Sequence, residues 1–74
     1  MLDGTTENLL VEFDANLITT KEIFEKLNVP TEKQEEVKIA LNSFKRAWDE
    51  DGTDDQKLDK TLDFFANRIA NILA

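Results

Sequence analysis

Large apolar side chains recur along this chain at intervals of three and four, and little interrupts them. Leu58, Leu62, Phe65, Ile69 and Ile72 are spaced four, three, four, three; Val37, Leu41, Phe44 and Trp48 are spaced four, three, four. A helix of about 3.6 residues per turn aligns such a series along one face. Runs rich in β-branched residues at period two are missing, and the residues that break helices are confined to Gly4, Pro30 and Gly52. The pattern predicts an all-α protein: a compact four-helix domain spanning 1–74, with two longer and two shorter helices in orthogonal or bundle-like packing.

The spacing places helices over about 5–17, 20–28, 32–50 and 54–73. In the first, Leu9, Leu10, Phe13 and Leu17 share the inward face, with Thr5 or Thr6 as N-cap. The next three starts each show the capping-box spacing: Thr19 with Glu22, Thr31 with Gln34, and Thr53 with Gln56. In such a box the threonine oxygen accepts from a first-turn N–H, and the Glu or Gln reaches back to the N–H of the cap. Ile23, Phe24 and Leu27 point inward from the second helix, Pro30 breaks the chain, and Gly52 ends the third helix in a left-handed conformation. Leu73 and Ala66 widen the stripe of the fourth. That stripe also fits a coiled-coil seam, but it lasts only about two heptads, fewer than such a seam requires, so the core-facing reading is preferred.

Composition narrows the function classes. Sixteen acidic residues stand against nine basic ones, a net charge of −7. This opposes binding to nucleic acid and to anionic lipid, and it favours partners that carry a basic patch. No stretch approaches the roughly 20 apolar residues of a membrane span. The opening MLDGTTENLL has no basic region, apolar run or cleavage site of a signal peptide. With no cysteine to bridge, the chain is compatible with a reducing compartment, and a cytoplasmic location is expected. Without histidine, cysteine or tyrosine, the usual proton shuttle, thiolate chemistry and zinc sites are unavailable, and Ser43, the one serine, has no imidazole to activate it. Glu35/Glu36 and Asp54/Asp55 are adjacent pairs that point different ways on a helix. The expectation is no enzyme, no cofactor and no metal.

Two stretches suggest more specific chemistry. Residues 49–55, DEDGTDD, suggest calcium, but counted from Asp49 as an EF-hand loop the bending position is Asp54 rather than glycine and the chelating position is Lys60 rather than glutamate. A helix–helix corner fits better, with Thr53, Asp54 and Asp55 at the positive start of a helix. Residues 19–48 have the outline of a DNA-reading helix-turn-helix and loosely resemble the helical part of winged-helix domains, over less than half of the chain and on generic apolar positions. The resemblance would make 32–48 the reading helix. Its first turns carry Glu32, Glu35 and Glu36 around Lys33, which would face phosphates, and no hairpin pattern follows as a wing. Lys38, Lys45 and Arg46 form a small basic cluster beside Asp49, Glu50 and Asp51.

Three large apolar residues fall off the stripes. At 100° per residue Val11 points nearly opposite Leu9, Ile39 nearly opposite Val37, and Phe64 about a third of a turn from Leu58. Either these helices are buried on two sides, or the three residues lie on an exposed patch of the kind that marks interaction sites. Trp48 is read first as core and second as an interface anchor. The leading expectation is therefore a small acidic helical module that binds a protein or a second copy of itself, as a regulator, inhibitor or accessory protein of the type bacteria and phages encode. Its apolar centre would be Ile39 and Phe64, with Val11 and Trp48 as further candidates. Its acidic rim would be Glu32, Glu35, Glu36, Asp49, Glu50 and Asp51. The alternatives are the helix-turn-helix DNA binder and an acidic mimic of nucleic acid that blocks a basic site.

Overall fold

The computed structural model describes the backbone from residue 4 and the side chains from residue 6 to the end of the chain. Four helices follow in order: α1 (Gly4–Asp14), α2 (Thr20–Leu27), α3 (Thr31–Asp51) and α4 (Asp55–Leu73). There is no strand among the described residues, and no helix there is long and apolar enough to cross a membrane. The domain is all-α and bundle-like. α3 and α4 form an antiparallel hairpin with the most extensive packing in the molecule. α1 lies across both of them, and α2 fills the corner between α1 and α3.

The core consists largely of the stripes read from the sequence. Leu10, Ile23, Val37, Leu41, Phe44 and Ile69 are fully buried, and Phe44 is the largest of them. Its ring sits 5.2 Å from that of Trp48 and 5.7 Å from that of Phe65, the latter edge to face. Such pairs add stability beyond area burial. Trp48 is half-buried and packs against the core. Val29, in the turn before α3, and Ala40 are also buried. Neither belongs to the spacing pattern.

The helix ends hold most of the departures from expectation. Of the three capping boxes, the one at Thr19 forms: its hydroxyl oxygen accepts from the Glu22 N–H at 3.2 Å, and Glu22 Oε1 accepts from the Thr19 N–H at 3.3 Å. Thr31 is already inside α3. Pro30, with φ −64° and ψ 151°, is the N-cap, and its carbonyl accepts from the Lys33 N–H at 2.9 Å. Proline lacks the N–H that a capping box would return to, but its fixed φ suits the boundary. At α4, Asp54 replaces Thr53 as N-cap, its carboxylate accepting from the N–H groups of Gln56 and Lys57 at 3.1 and 3.2 Å. A charged acceptor at the positive end of the helix outcompetes the neutral hydroxyl one residue earlier. Thr6 lies within α1 rather than capping it, and the side chain of Thr5 is outside the described residues.

Leu17 does not join the core. α1 stops at Asp14 because Asn16 turns left-handed at φ 61°. The N–H of Leu17 donates to the Glu12 carbonyl at 2.9 Å and that of Asn16 to the Phe13 carbonyl at 3.1 Å, which together form a Schellman cap. Leu17 is thereby turned outward and is 72% exposed. α2 ends the same way at Asn28, φ 54°, with the Val29 N–H donating to the Phe24 carbonyl at 2.9 Å. Here the following residue, Val29, is buried, so the cap also delivers an apolar anchor to the core. Asn28→Ala is expected to lose about 1 kcal/mol of stability through left-handed strain, and Asn28→Gly to lose none; urea unfolding of the two variants measures this.

Gly52 closes the α3–α4 hairpin. Its φ of 65° and ψ of −118° are not those of the expected left-handed helix cap. They match the first central position of a type II′ turn, in which the Asp54 N–H donates to the Asp51 carbonyl at 3.2 Å. The result is a tight reversal that sets α4 directly beside α3.

Candidate interaction surface

The hairpin has one side covered and one side open. On α3, Lys45 faces α1: its ammonium donates to Asn16 Oδ1 at 3.0 Å and lies 5.7 Å from the centre of the Phe13 ring. Asp51 faces α4, accepting from the Thr61 hydroxyl at 2.5 Å. At 100° per residue Ile39 lies about 120° from each of these directions, so it projects away from both neighbours. On α4, Phe64 lies about 60° from the α3-facing Thr61 and about 160° from Ala66, which is fully buried. Ile39 and Phe64 therefore emerge on the open side of the hairpin, opposite α1. They are 50% and 60% exposed.

A surface groove of about 640 Å³ runs along this side, lined on α4 by Lys60, Phe64, Arg68 and Ile72 among others and on α3 by Glu36. A second, smaller depression of about 310 Å³ follows α3, lined by Ile39, Ser43, Arg46, Ala47 and Glu50 among others. The Phe64 ring is supported from beneath: it meets Phe65 edge to face at 5.0 Å, and Phe65 is itself buried. A large exposed aromatic held by a buried one is an ordered apolar surface rather than a loose side chain.

The structure brings some of the expected residues together and separates others. Ile39, Phe64, Glu36 and Glu50 share the open face. Glu32 and Glu35 are exposed near its α3 N-terminal end. Val11 is 41% exposed but projects from the outer side of α1, on the far side of the molecule. Trp48 turns into the core, Asp51 is half-buried against Thr61, and Asp49 sits near Asp14 on the α1 side. The three off-stripe residues are thus exposed rather than buried by two-sided packing, yet they do not form one patch. Bases stand among the acids of the rim. The charged residues of the two depressions are Glu36, Glu50 and Asp63 against Arg46, Lys60 and Arg68, three of each sign. Of these bases Arg46 belongs to the cluster seen in the sequence, whereas Lys60 and Arg68 do not; Lys60, Phe64 and Arg68 follow one another at intervals of four and emerge on projecting the outer face of α4 as well as its inner one.

One titratable group lies apart from this surface. Asp14 ends α1, and its Oδ1 is shielded from solvent with no hydrogen-bond partner. Burial, and then the charge of Asp49, raise its pKa above that of a free aspartate, while Lys45 pulls it partly back. The negative end of α1 is also an unfavourable place for a carboxylate. Because the folded-state pKa is raised, the folded protein favours the protonated acid. That contribution is fully present below the unfolded pKa and is lost as pH rises through the folded one. Asp14→Asn is accordingly expected to raise the thermal midpoint at neutral pH and to change it little in acid below the carboxylate range. Thermal melts of both proteins at the two pH values test the sign.

No family model matches the chain, and no curated protein or solved structure is detectably similar to it.

Proposed function

We propose that the protein is a non-enzymatic interaction module that acts by docking through the open face of the α3–α4 hairpin onto another polypeptide. The observation that carries this reading is the joint exposure of Ile39 and Phe64 on one face of a domain whose other large apolar groups are mostly buried. An ordered apolar centre within a polar surround is the usual anatomy of an interaction site. The test compares the full chain with Ile39→Asp and Phe64→Ser in pull-downs from the native host and in sedimentation. Both residues point outward, so helicity and thermal midpoint are expected to stay close to those of the parent. Binding partners or self-association are expected to be lost. If both variants fold and retain every association of the parent, the reading fails.

A second reading has one observation in its favour. α2, the three-residue turn of Asn28, Val29 and Pro30, and α3 have the outline of a helix-turn-helix. Against it, Glu32, Glu35 and Glu36 are all exposed on the first turns of α3, where a DNA reader presents bases. A gel shift on mixed duplexes at low salt decides: absence of a complex retires DNA binding.

A further inference from the structure

We infer that the occupant of the open face is a second copy of this chain, forming a symmetric dimer in which the Ile39 and Phe64 surfaces of two hairpins pack together. The inference rests on the docking reading above and names its partner. Its basis is the distribution of charge. The two depressions on the face carry three acids and three bases, and Glu32 and Glu35 stand at its α3 N-terminal end, so the face is of mixed sign. The rest of the chain then holds eleven acids against six bases and with them most of the net charge of −7. A basic partner would be drawn to the acidic remainder, and on this face it would meet Arg46, Lys60 and Arg68. A second copy meets a surface of both signs, on which each base can find an acid across the two-fold axis. An isologous contact requires that kind of self-complementarity. The area is adequate. α3 has 21 residues, so the face is roughly 30 Å long. It is two helices wide, roughly 20 Å. With the relief of its side chains this is comparable to the ~800 Å² per partner of a specific interface.

The same distribution predicts an unusual response to salt. Two chains of net charge −7 repel one another at long range, whereas their contacting faces carry both signs and only a small part of that charge. Raising salt from about 10 mM to about 150 mM shortens the Debye length from about 30 Å to about 8 Å and removes most of that repulsion. Self-association is therefore expected to tighten by about tenfold or more over this range. Binding to a basic partner would weaken instead.

Sedimentation equilibrium of the full chain, at both salt levels and over a range of concentrations, reads the mass directly. The expected result is a mass that rises with concentration from 8.5 kDa toward twice that value, more readily at high salt. Phe64→Ser and Ile39→Asp are expected to abolish the rise. Arg68→Glu, which replaces one of the three bases of the face by an acid, is expected to weaken it strongly. Lys21→Glu, with the same change of net charge at an exposed position on α2, is expected to weaken it only slightly. A chain that stays at 8.5 kDa throughout overturns the inference. So does a dimer that survives both apolar substitutions, or one that responds equally to Arg68→Glu and Lys21→Glu. The docking reading is judged separately: if the chain is monomeric but captures a host protein that Phe64→Ser releases, docking stands and the second copy falls.

Discussion

Phe44→Ala is expected to lower the stability of the fold by about 3–5 kcal/mol, the range for truncating a fully buried aromatic. Phe44 has no exposed surface; its ring links α3 to α4 through Phe65 and stacks against Trp48, one turn on along α3. A chain of 74 residues has a total stability of only about 4–11 kcal/mol. The variant should therefore be largely unfolded at physiological temperature or melt tens of degrees below the parent. Phe44→Leu, which leaves a smaller void, should retain the fold at reduced stability. Urea denaturation followed by circular dichroism measures both. A loss within about 0.5 kcal/mol for the alanine variant, the range of surface changes, would mean that Phe44 is not at the centre of the core.

The second large effect concerns backbone geometry. Gly52→Ala is expected to cost about 1–3 kcal/mol. A Cβ built at Gly52 meets nothing within 4 Å, so the cost is not a clash with neighbours. It arises from φ 65° with ψ −118°, a conformation an L-residue adopts only under strain. The chain is short enough for chemical synthesis, which permits a direct control. D-alanine at position 52 suits the positive φ and restricts the unfolded chain, so it should match the parent or exceed it by about 0.4–1 kcal/mol. Equal losses for L- and D-alanine would show that space rather than chirality limits the turn.

Local chemistry made much of the architecture legible. The spacing of Val37, Leu41 and Phe44, and of Leu62, Phe65 and Ile69, identified α3 and α4 and their inner faces, because one helical period places those residues in register whatever they pack against. Thr19 with Glu22 marked the start of α2 for the same reason: both partners of the cap lie within one turn. The misplaced caps at Thr31 and Thr53 are failures of competition. Pro30 and Asp54, each one residue earlier or later, supply a better boundary, and a motif read alone does not weigh its neighbour. Leu17 was misassigned because the left-handed residue that ends α1 is Asn16 rather than glycine, a weaker signal in the same role.

The candidate site was legible only in part. Ile39 and Phe64 stood out because they leave their stripes, which is a property of each helix by itself. Whether they were covered depended on where α1 came to rest, and whether they faced the same way depended on the reversal at Gly52. Val11 gave the same local signal and lies on the opposite side of the molecule. The charges on the open face come from two helices more than twenty residues apart in places, so their balance has no counterpart in any local segment.

The amino-acid order determined by itself where the chain coils and which side of each coil avoids water, since those depend on interactions within a few residues. It also excluded histidine-, cysteine- and tyrosine-based chemistry by supplying none of those side chains. Only the tertiary structure decided that two outlying apolar residues share an uncovered face of mixed charge, because that outcome depends on how four helices are set against one another, and the packing of whole helices involves residues far apart along the chain.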